Sequence, residues 1–87
     1  MNTLLYFTAD WCGPCKRTRP IVEELMRDSQ DVKIYIIDVD IEIEMAQDFG
    51  IQSVPTFVVM NDNTEIHRAR GPQTKQQLES LISFGQE

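Results

Sequence analysis

The chain is poor in the residues that let very small proteins fold without much of a core. Of its 87 residues two are cysteine and one is histidine. That inventory excludes a disulfide scaffold, and a zinc or iron–sulfur centre, which takes four ligands, would need a second copy of the chain to complete it. Positive charge is also scarce: eight Lys and Arg stand against fourteen Asp and Glu, for a net charge of −6. Nucleic-acid affinity is driven by cationic neutralisation of phosphates, so no nucleic-acid partner is expected. No apolar run approaches the ~20 residues of a membrane span, and no charged segment with a cleavage site precedes the first apolar run. A cytoplasmic protein without membrane contact is expected. Repeats, linkers and low-complexity segments are missing too, and the length suits one domain, 1–87, whose 41% hydrophobic content supplies one modest core.

Leu4-Leu5-Tyr6-Phe7 is continuously apolar, which suits a strand buried on both faces in a parallel sheet. A helix is predicted from about Gly13 to Ser29, with Ile21, Val22, Leu25 and Met26 inward and Pro20 bending it. Val32 to Val39 is rich in β-branched residues and completes a βαβ unit. Ile41 to Phe49 suits a short helix with Ile41, Met45 and Phe49 inward, although Ile41-Glu42-Ile43-Glu44 also alternates like a strand; Gly50 falls where a left-handed cap belongs. Thr56 to Met60 and Thr64 to Arg70 form a hairpin turned by Asn61-Asp62-Asn63. Thr74 and Gln77 make a capping box for a last helix burying Leu78, Leu81 and Ile82. The predicted order is βαβαββα.

The two cysteines stand in Trp11-Cys12-Gly13-Pro14-Cys15-Lys16, at the start of the first helix. An i, i+3 helical spacing puts both thiols on one face, close enough for an unstrained disulfide, so the pair can change between dithiol and disulfide with little backbone movement. A structural staple is the rival reading, but closing so short a loop removes only roughly 2 kcal/mol of unfolded-chain entropy. Cys12, at the helix's N-terminal edge, is placed to be the exposed, low-pKa thiol, and Cys15, one turn in, the shielded one. Lys16, Arg17 and Arg19 add a field that favours a thiolate, or else form a solvent-facing patch with no such duty. Pro14 fits an early helical position and Gly13 is expected to relieve crowding beside the sulfur. Asp10 reads as a solvated loop residue, His67 as a surface or half-buried one, and Met45 and Met60 as core filler.

This motif resembles that of the thioredoxin family, and the likeness extends from the first strand almost to the C-terminus. Pro20 matches the family's helix kink, Val54-Pro55-Thr56 its cis-proline loop, and Gly71 the glycine beside its substrate groove. Without the resemblance Pro55 would read as an ordinary trans-proline opening a strand. The likeness implies an α/β/α sandwich around a four-stranded mixed sheet in order 2-1-3-4, the first and last helices on one face and the middle helix on the other. It implies a thiol–disulfide oxidoreductase in which Cys12 attacks and Cys15 resolves, supported by Trp11, Gly13, Pro14, Lys16 and Pro55. Substrate would be bound by Trp11, Val54, Pro55, Thr56 and Gly71; Trp11 could also simply pack.

Disulfide-containing proteins are the implied substrates, a thioredoxin reductase or the glutathione system the electron source, and a monomer with no bound cofactor the working form. A glutaredoxin-like reductase and a thioredoxin-fold binding or processivity subunit with incidental redox activity are the alternatives. One departure bears on mechanism. Most thioredoxins have a buried Asp six residues before the first cysteine with a Lys nearby on the next strand, and here Tyr6 and Ile36 hold those positions.

Overall fold

The computed structural model describes residues 2–29 and 31–83. Strand β1 (Asn2–Thr8) leads to α1 (Gly13–Asp28), β2 (Lys33–Asp38), α2 (Ile43–Asp48), β3 (Thr56–Asn61), β4 (Thr64–Arg70) and α3 (Lys75–Ser83). The strands form one sheet in the order β2-β1-β3-β4. β1 runs parallel to β2 and antiparallel to β3, and β3 antiparallel to β4, as the βαβαββα reading requires.

Because side chains alternate along a strand, β1 sends Leu4 and Tyr6 to one face and Leu5 and Phe7 to the other. The first pair joins Val22 and Leu25 of α1, Phe57 and Val59 of β3, and Leu78, Leu81 and Ile82 of α3. The second pair joins Ile37 and Val58 beneath Met45 and Phe49. Helices α1 and α3 thus cover one face and α2 the other. The central strand is buried along almost its whole length, which is why its sequence lacks alternation.

Punctuation residues act as their chemistry predicts. Thr74 and Gln77 exchange the two bonds of a capping box: the Gln77 N–H donates to Thr74 Oγ1 at 3.1 Å, and the Thr74 N–H to Gln77 Oε1 at 2.9 Å. Gly50 has φ +64°, the left-handed value that closes α2, and Asp62 turns the hairpin at φ +56°.

Two expectations are corrected. Helix α2 begins at Ile43 rather than Ile41, and Ile41 is 76% exposed. The reason is a turn: the Asp38 carbonyl accepts from the Ile41 and Glu42 amides and its carboxylate from the Asp40 amide, so the chain reverses before it can wind. Met26 is also largely exposed, since it lies about 100° around the helix from the buried Leu25, outside the stripe that meets the sheet. Tyr35, on the edge strand β2, is exposed.

Candidate active site

Cys12 is the N-cap residue of α1, with extended backbone (φ −90°, ψ 110°). The first N–H groups of a helix have no partner within it, and Pro14 carries none at all, so the amide of Cys15 is free to turn toward the cap. It donates to Cys12 Sγ at 3.2 Å. Sulfur therefore occupies the place that a Ser or Asp oxygen takes in an ordinary N-cap, where the helix dipole favours negative charge.

Cys12 and Cys15 are joined as a disulfide, their Cα atoms 5.2 Å apart. Cys12 is 4% and Cys15 1% exposed. The order is the expected one, but Cys12 is more enclosed than a freely exposed thiol, because Val39, Val54 and Ala9 pack against the pair. The Val54 carbonyl oxygen lies 3.6 Å from Cys12 Sγ. That carbonyl belongs to the Val54–Pro55 peptide, which is cis. Gly71, at φ +86°, donates its N–H to the Pro55 carbonyl at 2.8 Å, and Thr56 Oγ1 donates to the Ser53 carbonyl at 2.7 Å. Val54 thus meets the Cys12 sulfur although it is far away in sequence, and the loop that carries it is held by the bonds of Thr56 to Ser53 and of Gly71 to Pro55.

Trp11 is 69% exposed, which removes the pure packing role. Its indole N–H donates to the Asp40 carboxylate at 2.8 Å, tying the ring to the turn that follows β2. Beside it lies a hollow of about 100 Å³ lined by Trp11, Val39, Ile51, Gln52, Ser53 and Val54. A larger one of about 530 Å³, between β4 and α3, is lined by His67, Gln73, Gln76 and Ser80 among others and does not reach the cysteines.

Lys16 and Arg17 are exposed, and Arg19 reaches Glu23 at 3.7 Å, so the three cations face solvent around the helix start. Beyond its chain neighbours Cys12 and Pro14, a Cβ placed at Gly13 would meet nothing nearer than the end of the Arg17 side chain at 3.9 Å. Asp40 is the site residue that sequence reasoning missed. It reads locally as one more acid in a solvated acidic stretch, and only the fold brings it to the indole.

Beneath the cysteines, Tyr6 and Ile36 lie side by side on β1 and β2. The Tyr6 ring stacks on Phe57 with centroids 5.0 Å apart, and its hydroxyl donates to the Cys15 carbonyl oxygen at 2.9 Å. Burial raises the Tyr6 pKa above its ordinary value, against smaller lowering effects from a Thr8 hydrogen bond and the Arg19 charge.

Comparison with known proteins agrees with this geometry. The thioredoxin family model matches residues 1–84. A thioredoxin of Chlamydia muridarum is 39% identical over 80 residues, covering 92% of this chain and 78% of that protein. One from Bacillus subtilis is 40% identical over 78 residues, 88% of this chain and 75% of the relative. The structure of a thioredoxin point mutant from Halobacterium salinarum superposes with a TM-score of 0.90 at 36% identity, over 99% of this chain and 75% of that one. A cysteine pair at a helix N-cap, facing a cis-proline loop in a sheet of this order, with relatives at this identity, establishes that the chain belongs to the thioredoxin family and is a thiol–disulfide oxidoreductase.

Proposed function

We propose that Cys12 is the attacking thiol and Cys15 the resolving one. The observation that carries this assignment is the Cys15 amide donating to Cys12 Sγ at the cap of α1, a contact that stabilises a thiolate on Cys12. In the reduced protein the Cys12 thiolate attacks one sulfur of a substrate protein's disulfide; a mixed disulfide forms and the other substrate sulfur leaves as thiolate. Cys15 then loses its proton to water and attacks Cys12 Sγ. The second substrate sulfur leaves, and the Cys12–Cys15 disulfide remains. Two electrons pass to substrate, and the chain's own residues suffice without a bound cofactor.

Trp11, the adjoining hollow and the backbone around Val54 and Pro55 are the surface on which an extended substrate segment would lie, in the manner of an added strand. Gly71, without a side chain, keeps that surface open, and Lys16 adds positive potential near the reacting sulfur. The working form is a cytoplasmic monomer, returned to the dithiol by a thioredoxin reductase. The cytoplasmic assignment is supported by the cysteine content: both thiols serve the site and none is spent on a staple.

Two variants test the roles. Cys15→Ser should accumulate a mixed disulfide with substrate proteins through Cys12, and Cys12→Ser should accumulate none. Adducts mapped to Cys15 would reverse the assignment. Turnover of a generic disulfide protein with NADPH and thioredoxin reductase, but not with glutathione and its reductase, is the expected electron supply; the opposite pattern would make the protein glutaredoxin-like in use.

A further inference from the structure

Tyr6 lies under the cysteines at the place where most of the family has an ionisable acid, and its hydroxyl is directed at a single acceptor. A phenol has one proton, and the Cys15 carbonyl oxygen can only accept, so at 2.9 Å that proton is committed to the carbonyl. One bond thus runs from the Tyr6 hydroxyl on the central strand to the backbone of Cys15. Both residues are buried, and the Tyr6 ring is clamped on Phe57.

The Cys15 carbonyl lies in a part of α1 that needs an external hold. Pro20 lacks the N–H that would bond the carbonyl of Lys16, so the helix has one rung fewer just beyond the cysteines. A donor from the central strand to the neighbouring carbonyl pins the first turn to the sheet. We propose that Tyr6 is a positioning residue for the resolving cysteine: by holding the Cys15 carbonyl it sets the direction from which Cys15 Sγ attacks Cys12 Sγ, and it takes no proton in the step. Tyr6 touches neither substrate nor the reacting sulfurs through its hydroxyl, so its influence passes through the Cys15 backbone. The inference rests on Cys12 attacking and Cys15 resolving, as proposed above.

The experiment separates the two attacks. Reduced protein is mixed with the symmetrical aryl disulfide of thionitrobenzoate, which releases a coloured thiolate at each step. Cys12 attacks first, releasing one aryl thiolate and forming the mixed disulfide. Cys15 then gives its proton to water and displaces the second aryl thiolate from Cys12. Tyr6→Phe keeps the ring and its stacking and removes only the hydroxyl. Loss of one aligning hydrogen bond, net, should slow the second release about three- to tenfold. The first release should be unchanged, and the pH dependence of the second should keep the wild-type shape, with Arg19 the charge acting on the phenol in either case.

An unchanged second release would overturn the proposal. Equal slowing of both releases would also overturn it, by showing a general loosening of the site. A lost inflection in the pH profile would make Tyr6 a proton-transfer group instead. Should Tyr6→Phe fail to fold, Phe57→Leu removes the stacking that clamps the Tyr6 ring and should slow the same release more weakly; no slowing there would count against a fixed Tyr6 hydroxyl as the positioning element. In the Tyr35→Phe background, Tyr6 alone supplies the tyrosinate absorbance and should ionise above the ordinary tyrosine range; ionisation within that range would contradict the buried, committed hydroxyl. A wild-type protein giving no second release at all would refute the assignment of Cys12 and Cys15 rather than that of Tyr6.

Discussion

The two faces of the sheet are built differently. On the face covered by α1 and α3, Leu4, Tyr6, Val22, Leu25, Phe57, Val59, Leu78, Leu81 and Ile82 are all buried. On the α2 face the buried set is Leu5, Phe7, Ile37 and Val58, and the residues over it, Met45, Phe49, Ile51 and Val54 among them, are only partly covered. A short helix cannot roof a sheet, and what completes the cover is polar: Arg68 of β4 pairs with Glu65 at 2.8 Å and donates to the Phe49 carbonyl at the end of α2. The thick face sets stability and holds the resolving cysteine; the thin face borders the loop that meets Cys12.

Core truncation gives the widest contrast. Leu78→Ala, on the thick face, should cost about 2–5 kcal/mol in urea unfolding, and Met45→Ala, on the thin one, about 1–2 kcal/mol because its side chain is already part-solvated. Equal losses would break the comparison. Alkaline pH should reach the thick face next. The folded-state pKa of Tyr6 is raised above 10.0 by burial, so its contribution is present in full below that value and lost as pH rises through the folded pKa. Unfolding followed from neutral to strongly alkaline pH should show a decline that Tyr6→Phe reduces.

The smallest effect belongs to the thin face at acid pH. The hydrogen bond from Arg68, more than its charge, lowers the Glu65 pKa below 4.5. The contribution is therefore present above 4.5 and lost as pH falls through the folded value. Glu65 is partly exposed, so Glu65→Gln should destabilise by less than about 1 kcal/mol at neutral pH and by nothing once the carboxylate is protonated. A gap that persists at low pH would show that the carboxamide disturbs packing and not charge.

Elements whose signals are local were legible from the start. The capping box at Thr74 and Gln77 and the left-handed Gly50 each depend on residues within one turn, so a few side chains decide them. Where the reading failed, a neighbour outside the window intervened: Ile41 has the right period for α2, but the Asp38 turn starts before it.

By itself the sequence determined the chemistry available: two thiols three residues apart at a helix start, a proline that leaves the Cys15 amide unshared, and a tyrosine in place of an acid on the central strand. Local covalent geometry and helix-end electrostatics dictate that much wherever the segment folds. Only the tertiary structure decided that the Val54 carbonyl lies over Cys12, that Asp40 holds Trp11, and that the Tyr6 hydroxyl ends on Cys15. Two of those contacts join residues far apart in the chain and the third crosses from β1 to α1, and all three partners are chosen by how the sheet orders its strands and seats α1, which no single segment encodes.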